Sequence, residues 1–180
     1  ARRLAMSSQY VDDAIYEYEV VGGSGPLFLP YKTAITQNYS FWDETTRDSV
    51  YLPFHFIPGD GARASAARKD GSSDPYLVTP DSPIAKELLI AALRTRNLYR
   101  VGIALHAYAD SWAHQQFSGR IGEVNVVDPA SPLPAAGHLQ ALRAPDLALE
   151  TWRDPRLLEG SESVDNRSRF LEAARKIYRY

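Results

Sequence analysis

Three residues of types that bind metals or move protons recur at intervals of four in the middle of the chain. His106, Asp110 and His114 fall in the segment Leu105–Gln115, and residues four apart on an α-helix lie on one face. His106 and His114 would be about 12 Å apart along the helix axis, which is too far for both to ligate one ion. The carboxylate of Asp110 lies between them and offers two oxygens. The spacing therefore predicts a pair of metal ions bridged by Asp110.

The other histidines and an early pair of aspartates could complete such a site. His55 lies in an apolar, aromatic run, where burial of an imidazole without a partner is costly. Asp12 and Asp13 fall between apolar positions of a predicted helix, where a carboxylate needs a partner. His138 stands at the start of a short predicted helix. The expected metal ligands are Asp12, Asp13, His55, His106, Asp110, His114 and His138, with His55 and Asp12 or Asp13 approaching the central helix in space.

Composition limits the kinds of function that these residues can serve. The chain has no cysteine, so thiolate metal sites are excluded and any metal must be held by histidines and carboxylates. Twenty basic and 22 acidic residues give a net charge of −2, which argues against stable binding of nucleic acid. No charge-free stretch reaches the roughly 18 residues of a membrane-spanning helix. A soluble protein that acts on a small-molecule or phosphoester substrate is expected.

The elements that must position the candidate ligands are mainly helices. Apolar periodicity predicts a helix over 1–20, and Ser82 and Asn97 are predicted to cap helices that end near Arg94 and Phe117. A last helix is predicted to start near Asp165. Ser49–Pro58 has prolines near both ends and is predicted to be a strand or an extended segment, and 59–75 a polar surface loop. The expected fold is mainly α, a helical bundle with long irregular loops.

The chain is expected to form one metal-binding helical domain over 1–180. It begins with Ala1 in a predicted helix and ends without a capping residue, so truncation at both ends is expected. No signal peptide is recognisable, which favours a cytoplasmic location. The sequence contains no indication of the oligomeric state.

The order of the candidate ligands resembles that of the zinc-dependent phospholipase C and single-strand-specific nuclease superfamily. The segment Gln9–Asp13, taken with His106-x3-Asp110-x3-His114, also looks like an uncharacterised bacterial family related to that group. The resemblance implies an all-α fold, two or three zinc ions, phosphodiester hydrolysis and a bridging, catalytic role for Asp110. The superfamily has a carboxylate one turn after its last histidine.

In this sequence the position one turn after His138 is Leu142. Asp146 or Gln140 would therefore have to supply the ligand that the superfamily takes from that turn.

Three functions remain open on the sequence alone. The first is a metal-dependent hydrolase of phosphoesters, with two or three zinc ions. The second is a helical non-haem di-iron oxygenase or redox enzyme, since histidine and carboxylate ligands also suit iron. The third is a non-enzymatic helical module with a structural metal. The resemblance implies the hydrolase, and the di-iron alternative has few glutamates available, since Glu87 and Glu172 are the only plausible inward-facing ones.

Overall fold

The chain is mainly α-helical over the residues that the structure describes. The computed structural model describes residues 1–12, 40 and 42–180. The helices are α1 (Arg2–Gln9), α2 (Glu44–Thr46), α3 (Leu52–Phe54), α4 (Gly61–Ala66), α5 (Pro83–Arg94), α6 (Leu98–Ala113) and α7 (Asn166–Ile177). A π-helical turn over Arg47–Tyr51 joins α2 to α3, and 3₁₀ turns occupy Glu123–Asn125, Leu139–Ala141 and Ala144–Asp146. A small antiparallel hairpin pairs β1 (Thr151–Arg153) with β2 (Ser163–Asp165), with Trp152 opposite Val164.

The starts of the three long C-terminal helices follow from their capping residues. Ser82, Asn97 and Asp165 each accept hydrogen bonds from backbone N–H groups in the first turn of the helix that follows. These N–H groups have no partner inside the helix, so a side-chain oxygen at the cap stabilises the helix start. The predicted starts of α5, α6 and α7 are confirmed.

Helix α6 lies at the centre of the described structure, where α1, α5 and α7 pack against it. Tyr108 and Trp112 of α6 are buried with Leu89 of α5 and Ala173 of α7. The contact with α1 depends on Gly102, because a Cβ there would lie 2.5 Å from Cβ of Ser7. The end of α1 is thereby brought next to α6. Within the described part of the chain no helix could cross a membrane, and α6 itself has only 16 residues.

Several predicted boundaries are wrong. Ser49–Pro58 is largely helical rather than extended, because Ser49–Phe54 continues the helical run that begins with α2 through the π-helical turn into α3. Helix α6 ends at Ala113 instead of Phe117, and α4 forms inside the segment 59–75 that was predicted as a loop.

The predicted helix over 1–20 is also shorter in its described part. Helix α1 ends at Gln9, and Asp12 lies in the turn that follows it rather than within a helix. Asp13 and the rest of the predicted helix lie outside the described residues.

Candidate metal centre

The first group of candidate ligands comes from three separate elements. Asp12 follows α1, His55 is the residue at which α3 ends, and His106 lies in the middle of α6. Oδ1 of Asp12 is 3.7 Å from Nδ1 of His55 and 3.4 Å from Nε2 of His106. One ligand atom from each residue lies within 4.8 Å of the other two, so the group could hold one metal ion.

The second group combines the end of α6 with the connection that follows it. His114 is the C-terminal capping residue of α6, while His138 and Asp146 belong to the 3₁₀ turns after it. Nε2 of His114 is 3.2 Å from Oδ1 of Asp146, and Nε2 of His138 is 3.4 Å from Oδ2 of Asp146. These three residues could hold a second ion.

Asp110 lies between the two groups. Its Oδ2 is 3.3 Å from Nδ1 of His55 and 3.2 Å from Nε2 of His106 in the first group. The same oxygen is 3.7 Å from Nδ1 of His114 in the second group. His106 and His114 thus belong to different groups, with the carboxylate of Asp110 between them. On His114 this carboxylate approaches Nδ1, whereas Nε2 faces Asp146.

Backbone carbonyls orient both imidazoles of the second group. Nδ1 of His114 is 2.6 Å from the carbonyl oxygen of His55, and Nδ1 of His138 is 2.8 Å from the carbonyl oxygen of Leu142. Each Nδ1–H therefore donates to a carbonyl and leaves Nε2 free to act as a ligand, which is the usual support for a metal-binding histidine. Leu142 reaches this position with a φ of 53°, an uncommon conformation for a non-glycine residue.

A glycine allows His138 to approach the aromatic wall of the site. Gly137 has a φ of 50°, and a Cβ there would lie 2.5 Å from Cζ of Phe56. The ring of Phe56 stacks on His114 at a centroid distance of 4.5 Å and lies 6.0 Å from the ring of His138. Any larger residue at 137 would force Phe56 and His138 apart.

The charges of the group act strongly on one another. Burial opposes ionisation of Asp110, but the positive charges of His114 and His106 outweigh it and hold the pKa of Asp110 below its ordinary value. Burial also opposes protonation of His114, yet the charge of Asp110 and a hydrogen bond to Asp146 raise the pKa of His114 to about 9. For His106 the charge of Asp110 raises the pKa against the effect of burial. Without a metal, the carboxylates are stabilised by protons on these imidazoles.

One candidate ligand atom has no hydrogen-bond partner among the described residues. This observation bears on whether the residues fit a metal. Nε2 of His106 is buried and has no hydrogen-bond partner among the described residues, although carboxylate oxygens lie 3.2 and 3.4 Å away. Buried polar atoms are seldom left without a hydrogen bond. Ligand atoms that converge on one point, rather than on each other, are what a metal site requires. The donor set of imidazoles and carboxylates fits zinc or iron.

Five of the six ligands of the two groups, all except His106, line a cleft of about 580 Å³ together with Asp110. Ala109 and Ala113 of α6 form its floor between the ligands, and aromatic side chains including Tyr51, Phe56 and Phe170 form its walls. The small side chains on α6 leave space beside Asp110. A substrate of moderate size could therefore reach both groups at once.

The structure brings together every sequence-predicted ligand that it describes, and Asp13 lies outside the described residues. Of the two alternatives after His138, Asp146 joins the second group, whereas Oε1 of Gln140 accepts hydrogen bonds from the backbone of Val127 and Asp128. The sequence offered one sign of this, because Asp146 follows Pro145 and so ends a tight turn. Nothing in the sequence indicated that the carbonyl of Leu142 orients His138.

Comparison with known proteins gives a family but no activity. The chain matches the family of unknown function DUF6765 over residues 1–180. It belongs to this family. Neither the curated proteins nor the solved structures include a match to the chain. The comparisons do not connect it with the phospholipase C and nuclease superfamily, so that resemblance stays a prediction from the sequence.

Proposed function

We propose that this protein is a hydrolase of phosphoesters that uses two divalent metal ions, preferentially zinc, held at the centre of a helical bundle built around α6. The observation that carries the proposal is the pair of ligand groups, each with two histidines and one aspartate, with Asp110 between them. The proposal follows the interpretation that the spacing of His106, Asp110 and His114 suggested.

Each residue has a defined part in this proposal. Asp12, His55 and His106 would hold one ion, His114, His138 and Asp146 the other, and Asp110 would bridge them. Neutral imidazoles and ionised carboxylates are the ligand forms required. Two divalent ions supply the chemistry by activating water, orienting the phosphate and stabilising the charge that develops on the leaving oxygen.

The protein's own residues would hold these groups in place and exclude water from one side. The carbonyls of His55 and Leu142 hold two of the imidazoles in the tautomer that presents Nε2. Phe56, stacked on His114, covers that ring and restricts its rotation. Because Asp110 is largely buried, with 16% of its side chain exposed, water competes little for its oxygens.

One specific observation supports iron as a second candidate. Each group consists of two histidines and one carboxylate, which is also the ligand set of non-haem iron oxygenases. Di-iron helical bundles, however, take most of their ligands from glutamates. Neither of the two ligand groups found among the described residues contains a glutamate, so zinc is favoured.

An open cleft argues against a purely structural metal. Structural zinc sites are closed by four protein ligands, whereas catalytic sites leave a position for water or substrate. Among the described residues each group has three protein ligands, and both groups contribute to the lining of a cleft of about 580 Å³. The arrangement therefore supports an enzyme over a non-enzymatic module.

Metal analysis combined with an activity assay tests the proposal. The protein, purified without chelator and dialysed against zinc, should carry two zinc ions per chain and hydrolyse a chromogenic phosphodiester. Iron with a visible absorption band would support the second candidate instead. Protein that retains fewer than two metals, or a fully loaded protein without phosphoesterase activity, would contradict the proposal.

A further inference from the structure

In the part of the chain that the structure describes, one arginine lies beside the candidate metal centre without an ionic partner. Arg143 lines the cleft, and it is the only lysine or arginine to do so among the described residues. Its side chain is exposed and forms no ion pair or side-chain hydrogen bond within the chain that the structure describes. Other arginines that line cavities are paired. Arg68 donates two hydrogen bonds to the carboxylate of Asp70, and Arg156 donates two to that of Asp154.

The local backbone places Arg143 next to a candidate ligand. Arg143 is the N-terminal capping residue of the 3₁₀ turn Ala144–Asp146, and the N–H of Asp146 donates to its carbonyl at 3.0 Å. Side chains three apart in a 3₁₀ turn lie over one another. The oxygens of Asp146 face His114 and His138 instead of the guanidinium. Arg143 therefore lies beside the second group, and among the described residues no ion pair neutralises its charge.

The net charge of the proposed metal centre indicates why a further cation would matter for an anionic substrate. Two divalent ions would bring four positive charges, and among the described residues the carboxylates of Asp12, Asp110 and Asp146 bring three negative charges. The single positive charge that remains is lost once the attacking water gives up a proton. An uncharged ester needs no further cation in such a site, whereas an anionic phosphoester does.

We propose that Arg143 binds the anionic phosphate group of the substrate and thereby sets the preference of the site for phosphoesters over uncharged esters. This inference rests on the proposed two-metal function. The planar guanidinium can give two parallel hydrogen bonds to phosphate oxygens, a geometry that suits phosphate particularly well. Arg143 is a substrate-binding residue in this account and takes no part in holding the metals.

Binding of inorganic phosphate to the zinc-loaded protein tests the role of Arg143. Titration calorimetry should show about 10- to 100-fold weaker binding for Arg143→Gln, since a hydrogen bond to a charged group contributes roughly 1.5–3 kcal/mol. Arg143→Lys keeps the charge and should bind more tightly than Arg143→Gln. Arg175→Gln, an equal change of charge on the exposed face of α7, should bind as the wild type does. Zinc content and melting temperature should be unchanged in all three variants.

A second readout separates substrate preference from general loss of activity. In Arg143→Gln, kcat/KM for a phosphodiester should fall by a similar factor, while any hydrolysis of a neutral carboxyl ester should be retained. Equal phosphate affinity in Arg143→Gln and wild type, with zinc bound to both, would overturn the role of Arg143 alone. Wild-type protein that binds neither zinc nor phosphate would overturn the proposed function as well. A loss of phosphate affinity that Arg175→Gln reproduces would also overturn the inference, because it would reflect net charge.

Discussion

Replacement of Asp110 by asparagine is the sharpest test of the candidate metal centre. The substitution keeps the shape of the side chain but removes its negative charge. Imidazoles of both groups lie within 3.7 Å of Oδ2 of Asp110 and would lose that charge. A bridging carboxylate contributes to both ions, so we expect both to be bound more weakly. A carboxylate that serves only the fold would give a different result, with lower stability and an unchanged response to zinc.

The expected change in the melting temperature follows from the linkage between zinc binding and folding. Zinc at 100 times its dissociation constant adds about 2.7 kcal/mol per site, or about 5 kcal/mol for two sites. If asparagine weakens both sites 100-fold, the same zinc concentration adds only about 0.4 kcal/mol per site. For a chain of 180 residues, 1 kcal/mol corresponds to roughly 2–4 °C in melting temperature. The rise caused by zinc should therefore fall from about 10–20 °C in the wild type to about 2–3 °C in Asp110→Asn.

The assay compares melting with and without zinc within each variant. This comparison removes the separate loss of the charge contact between Asp110 and His114, which lowers the stability of the metal-free protein. Asp154→Asn is the matched control, because Asp154 is 1% exposed and pairs with Arg156 away from the cleft. It should melt lower but keep the full rise caused by zinc. A full rise in Asp110→Asn would refute the bridging role.

Three further outcomes follow from the structure. In metal-free protein, the pKa of His114 is raised to about 9. This shift stabilises the fold fully below the unfolded pKa of about 6.5, and the stabilisation is lost as the pH rises through 9. Urea denaturation in chelator should thus show a free energy of unfolding that falls by about 2–3 kcal/mol from pH 6.5 to 9, and an increase would contradict the assignment. Gly102→Ala should cost about 1–3 kcal/mol, because the new Cβ would lie 2.7 Å from the carbonyl oxygen of Leu4; an unchanged melting temperature would show that α1 can shift freely. Asp146→Asn should lower zinc content from two ions to one while Gln140→Glu leaves it at two, and the reverse pattern would identify residue 140 as the ligand.

The helices that could be predicted are those whose signals are local. The starts of α5, α6 and α7 could be predicted because each is capped by a side chain that acts within one turn: Ser82, Asn97 and Asp165. The segment that contains His55 could not be predicted in this way. Its prolines suggested an extended chain, whereas it continues a helical run that begins before it, at Glu44.

The part of the candidate site that lies on α6 followed from the sequence for a similar reason. The positions of His106, Asp110 and His114 relative to one another depend only on helix geometry. The identity of the last ligand did not follow, because Asp146 reaches His138 through a 3₁₀ turn and the uncommon φ of Leu142. Such a turn is set by packing around it, which a reading of spacing alone cannot supply.

The distribution of the candidate ligands couples metal binding to folding. They come from the end of α1, the end of α3, the middle and end of α6 and the turns before β1, so they meet only when the chain is folded. Without metal, three aspartates and four histidines meet at one site. Protons on the imidazoles then offset the negative charges of the carboxylates. Divalent ions can replace those protons, and because deprotonated imidazoles bind metals, metal affinity should rise over the same pH range in which the metal-free fold weakens. The two states therefore differ most at mildly alkaline pH, where the metal should contribute most to keeping these segments together.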